Sequence, residues 1–147
     1  MKPQHYLHSS WEKFDEWRVR CKTFCVVVKH WTVSEEDSIR FQEEYGPHRW
    51  VVYAFIYPDH KLFHVVSGEK NTSKLEDFPV HGGVTFFRRH WSSDGKSCAS
   101  IEVGADYFHD GDDPFTRDED GQGVFSDAEA LVKWLNEYDA GQVKEVQ

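Results

Sequence analysis

Apolar runs of strand length recur along this chain, separated by short polar breaks. Residues 23–31 (Thr-Phe-Cys-Val-Val-Val-Lys-His-Trp) are dense in β-branched and aromatic side chains, which suit a pleated, packed surface. They predict a strand buried on both faces near the valines. Residues 49–57 (Arg-Trp-Val-Val-Tyr-Ala-Phe-Ile-Tyr) give the strongest strand signal, and Pro58-Asp59-His60 breaks it. Residues 62–66 read as a short extension, and 67–75 as a polar loop. Residues 84–87 and 98–103 predict two more strands. Between them lies Ser92-Ser93-Asp94-Gly95-Lys96, and Asp-Gly favours the positive φ of a tight turn, so the pair reads as a hairpin.

Helix signals are fewer. Ser10 precedes Trp11, Phe14 and Trp17 at helical spacing, which predicts a short N-terminal helix. Ser34 followed by Glu35, Glu36 and Asp37 predicts a capped helix over about 35–45, ended by Gly46-Pro47. Ser126 and Glu129 form a capping box. It opens a helix to about Tyr138 with Ala130, Leu131, Trp134 and Leu135 on its apolar face. Residues 110–123 read as an acidic, exposed loop. The whole predicts an α+β fold, a largely antiparallel sheet with helices packed on one face. It forms a single domain over residues 1–147, with loose termini at 1–9 and 140–147.

Composition narrows the function. The chain of 147 residues has 16% aromatic side chains and a formal net charge of -9. An acidic balance argues against direct binding of duplex nucleic acid. No run approaches the roughly 18 apolar residues of a membrane span, and no apolar leader follows Met1, so a cytoplasmic location and no membrane partner are expected. The three cysteines, Cys21, Cys25 and Cys98, match no zinc framework and read as reduced thiols.

Polar chemistry collects at two stretches. The first is His81-Gly82-Gly83-Val84-Thr85-Phe86, where paired glycines allow a ligand close to the backbone. The second is Gly104-Ala105-Asp106-Tyr107-Phe108-His109-Asp110-Gly111-Asp112. A hairpin joining them would bring His81 toward Asp106 or His109, with His60 as a third contributor. Imidazole nitrogen with carboxylate oxygen suits a divalent metal such as Zn, Mn or Fe, with His81, His109 and Asp112 as its ligands. His81, His109 and Asp106 can also act as an acid–base set. In a purely binding role, His60, Gly82, Gly83, Thr85, Arg88 and Tyr107 would hold a small anionic ligand. The plainer reading is a structural histidine at a strand end and a solvated Gly-Asp turn. His30, His64 and His90 read as incidental.

The same stretches carry a resemblance. His48-Arg49-Trp50-Val51-Val52-Tyr53, Pro58-Asp59-His60-Lys61-Leu62-Phe63, His81-Gly82-Gly83-Val84-Thr85-Phe86 and residues 104–112 follow one another in the order of four motifs. These are similar to motifs of a family of small, uncharacterised bacteriophage and bacterial proteins. The third motif matches closely. The fourth departs from the pattern at Ala105 and Phe108. The resemblance spans most of the chain and implies a phage origin and a site built from His60, His81, Asp106, His109 and Asp112.

The expected function is therefore a phage-type protein that binds a compact polar, nucleotide-like ligand, sequestering or cleaving a host-defence signal. In the cleaving form a metal on His81, His109 and Asp112 would activate water. Asp106 would orient a histidine, and His60 would contact the leaving group. In the capturing form Tyr107 or Trp91 would stack on a base. The alternative is an acidic inhibitor that mimics nucleic acid and binds a host protein through residues 110–120. An accessory domain without catalytic role is a third class, and self-association stays open.

Overall fold

The computed structural model describes residues 14–33, 46–66, 78–108 and 112–141. The predicted helix over 35–45, the predicted loop over 67–75 and His109 lie outside them. In chain order the elements are strands β1 (Phe14–Arg20), β2 (Phe24–Thr32) and β3 (His48–Ile56), helix α1 (Phe63–Val66), strands β4 (Phe86–Trp91) and β5 (Cys98–Asp106), and helices α2 (Asp113–Thr116) and α3 (Gln122–Asp139). The fold is α+β, as the sequence predicts. The sheet has five strands in the order β1-β2-β3-β5-β4, and every neighbouring pair is antiparallel.

Strand alternation explains which residues meet the helices. Val26 and Val28 of β2, Trp50, Val52, Ala54 and Ile56 of β3, and Ile101 and Val103 of β5 point to one face. There they pack with Val124, Phe125, Ala128, Leu131, Leu135 and Tyr138 of α3. Trp50 is the centre of this core. It is fully buried, stacks on Trp17 at 6.0 Å between centroids and meets Phe125 edge-on. Its indole Nε1 donates to the Asp118 carbonyl at 2.9 Å.

Four local predictions change. The aromatic spacing at Trp11, Phe14 and Trp17 predicted a helix, but residues 14–20 form β1, paired with β2 along its whole length. Trp17 drops into the core while Glu16 and Arg18, on the opposite face of the pleat, form an ion pair. Residues 62–66 continue no strand. The His60 carbonyl accepts from the Phe63 amide, His60 Nδ1 accepts from the Leu62 amide, and the chain winds into α1. The last helix begins at Gln122, a turn before the predicted capping box. Gly121 is its N-cap with φ 63°, and Asp118 accepts from the amides of Asp120 and Gln122. Asp118 thereby satisfies donors at the helix start. The stretch predicted as an exposed loop thus contains α2 and buries Asp112, Thr116 and Gly121. Among the described residues no helix is long and apolar enough to cross a membrane.

His30, read from the sequence as incidental, is buried beside Trp50. Its Nε2 lies 2.8 Å from His48 Nδ1, so one ring donates to the other. Burial, reinforced by His48, holds His30 down at about 4 from the ordinary 6.5. The unfolded chain therefore takes up a proton at a pH where the folded one does not. Stability is expected to be full above 6.5, to fall as the pH drops from there toward 4, and to level off below. The slope approaches about 1.4 kcal/mol per pH unit within that window. Urea midpoints at pH 7 and pH 5 measure it. A His30→Gln variant as steeply pH-dependent as wild type would refute the assignment.

Candidate functional site

The site grows from the turn that follows Phe78. The Gly83 amide donates to the Val80 carbonyl at 3.1 Å, and Gly82 and Gly83 take φ of 69° and 88°. A Cβ built at either would meet nothing within 4 Å. These glycines supply left-handed backbone beside open space, and the Gly83 amide is used inside the turn. The turn presents His81.

Tyr107 is the floor beneath it. One residue past β5, its amide donates to the Trp50 carbonyl at 2.9 Å, and its ring is buried on the helix side of the sheet. Its hydroxyl donates to Asp127 Oδ2 of α3 at 2.7 Å. Burial pushes the Tyr107 phenol up, and the hydrogen bond and charge of Asp127, with the charge of Asp112, add to that. It stays protonated and keeps donating. The His81 imidazole lies flat on this ring, 4.4 Å between centroids and 10° from parallel. Phe115 of α2 packs edge-on against both rings.

Asp112 completes the group. Its carbonyl accepts from the Phe115 and Thr116 amides as α2 winds up, and Thr116 Oγ1 accepts from the Gly46 amide. Its carboxylate is buried, and His81 Nε2 donates to Oδ1 at 2.6 Å. The Asp112 side chain is 6% exposed and that of His81 26%. A carboxylate is an acceptor, so it draws the proton to Nε2 and fixes the tautomer. Nδ1 of the neutral ring is then left with its lone pair. The arrangement is a buried acid orienting a half-exposed imidazole, which can take up a proton or hydrogen-bond an anion.

The other predicted residues lie elsewhere. His60 is buried beneath the C-terminal half of α3, its Nε2 2.8 Å from the Leu135 carbonyl. It packs on Phe24 and Tyr138. At about 1.5 Å per residue, Leu135 is about 12 Å along the helix axis from Asp127, and His60 therefore joins the core instead of the His81 group. Asp106 and Arg88 alternate with core residues and face away from the helices, opposite Val51 and Glu102. Thr85 is exposed and gives its amide to the Gly104 carbonyl. Of the proposed metal ligands, His81 and Asp112 bond directly to each other. Among the described residues no group of three or more His, Cys, Asp or Glu side chains is placed to hold a metal. Sequence reasoning missed Asp127 and Phe115. Asp127 carried a faint signal, next to Ser126 at the capping box. Phe115 carried none.

Comparison with protein-family models, curated proteins and solved structures returns no match.

Proposed function

We propose that this is a phage-type protein that binds a compact polar, nucleotide-like ligand, with His81 as the polar contact. The observation that carries this reading is the 2.6 Å bond between His81 Nε2 and the buried Asp112 carboxylate. With Nε2 committed to Asp112, Nδ1 is the ring atom left to face a ligand, and as N–H it would donate to a phosphate or another anion. In the neutral state the same atom would accept a proton from a bound hydroxyl, which is the step a cleaving version needs. Tyr107 supports the ring of His81 and is too buried to stack on a base. Trp91, opposite Cys98 at the other end of β5, lies about 30 Å of strand from Tyr107, so a compact ligand held by His81 does not reach it. The acidic-inhibitor reading has less support: Asp112 is bonded to His81 and Asp118 to the start of α3, so fewer acids are left for a partner.

Titration calorimetry with adenosine mono- and diphosphate and a cyclic di-adenylate tests the proposal. Wild type is expected to bind at least one of them, and His81→Ala to weaken it roughly tenfold or more, the scale of a charge-assisted hydrogen bond. Asp112→Asn should fall between the two. Should wild type bind none of the three, or should folded His81→Ala bind as wild type does, the proposal fails.

A further inference from the structure

The sheet face turned away from the helices is built around a glycine. Gly104 of β5 lies opposite Tyr53 of β3 on one side and Phe86 of β4 on the other. A Cβ at Gly104 would sit 2.4 Å from Tyr53 Cδ1, so the Tyr53 ring lies across the bare backbone. Phe86 meets Tyr53 at 5.1 Å between centroids and 36°. Two residues further along β3, Phe55 and His90 form a second ring pair at 5.8 Å and 36°. Alternate residues of a strand are about 6.8 Å apart. Two shallow aromatic steps thus run along the same face, and all four rings keep some exposure.

Cations surround these rings. Lys29 Nζ lies 5.7 Å from the Tyr53 ring centre, and the Arg88 guanidinium 5.4 Å from that of Phe86. Arg18 and Arg20 stand on the same face of β1 and are exposed. The acids among them are engaged: Glu16 pairs with Arg18 and Lys29, and Glu102 with His90 at 2.7 Å. Asp106 is the other carboxylate on this face. In a chain of net charge -9, this face differs from the whole, since Arg18, Arg20, Lys29 and Arg88 at least balance its carboxylates Glu16, Glu102 and Asp106.

We infer that this face binds single-stranded nucleic acid, two successive bases stacking on the Tyr53/Phe86 and Phe55/His90 steps while Lys29 and Arg88 meet the phosphates. Rings in a row accept unpaired bases of any sequence, and flanking cations track the backbone. A duplex hides its base faces and gains only from charge, which the rest of the molecule opposes. The site is separate from His81, which lies on the helix side of the sheet.

Fluorescence anisotropy with a labelled eight-nucleotide oligo-dT and the matching oligo-U, at low salt, tests this. Wild type is expected to bind at least one single strand at least tenfold more tightly than an eight-base-pair duplex. Phe86→Leu, which keeps an apolar side chain, should weaken it roughly tenfold, and Arg88→Glu should weaken it and flatten the salt dependence. Asn136→Ala, exposed on α3 across the sheet, should bind as wild type. Absence of binding to both single strands, equal binding of duplex, or full affinity in folded Phe86→Leu and Arg88→Glu would each overturn the inference.

Discussion

Trp50→Ala is expected to destabilise the protein by about 3–5 kcal/mol, the range for truncating a large buried aromatic side chain. The indole does four things at once. It stacks on Trp17 of β1, packs against His30 of β2, meets Phe125 of α3, and donates to the Asp118 carbonyl ahead of that helix. Removing it opens a cavity shared by three elements and leaves the Asp118 carbonyl without this donor. Gly121 packs directly on the same ring, since a Cβ there would lie 2.4 Å from Trp50 Cη2. The helix start would therefore lose its footing together with the core. In a domain of this size the thermal midpoint should fall by about 10 °C or more. Near-ultraviolet circular dichroism follows it. A loss below about 1 kcal/mol would show that Trp50 is not the centre of the core.

Gly104→Ala is expected to cost about 3 kcal/mol or more, or to prevent folding. The new Cβ would stand 2.1 Å from the Val52 carbonyl oxygen and 2.4 Å from Tyr53 Cδ1. The oxygen belongs to a central strand and has nowhere to move without parting β3 from β5. Gly95→Ala is the control. Gly95 is exposed, has φ of 71° and leaves open space around a Cβ, so the left-handed penalty alone applies, about 1–2 kcal/mol. Urea unfolding of both variants separates crowding from conformation. Equal losses would mean that the close approach of Tyr53 to Gly104 has no energetic weight.

The strands that carry the sheet were legible because their chemistry is local. The valine run of β2 and the mixed apolar run of β3 leave few alternatives to a buried strand, and Asp94-Gly95 announces its own turn with φ of 71°. The misread elements share a cause. The aromatics at Phe14 and Trp17 fit two periods, and pairing with β2, remote in sequence information, chose between them. The start of α3 was hidden because Gly121 and Asp118, neither of them the expected serine, hold it. The candidate site was legible in part. His81 and Asp112 stood out as residues, but their pairing joins a turn before β4 to the start of α2 across 31 positions, which no spacing rule reaches. His60 looked available because a sequence does not display the backbone carbonyl of Leu135 that occupies it.

The strand order also bears on what the two outer edges of the sheet offer to another chain. Among the described residues β1 and β4 are the outermost strands, and each carries a large exposed apolar side chain, Val19 and Trp91. An outer strand with such a side chain invites another chain to add on. On β1, Val19 sits between Arg18 and Arg20, so an incoming strand would have to bring its own backbone past two guanidinium groups. On β4, the pairing slips between His90 and Trp91, and such a bulge twists the outer backbone away from a straight partner. The same arginines that offset the carboxylates of the sheet face thus oppose edge-to-edge stacking of the sheet into larger aggregates.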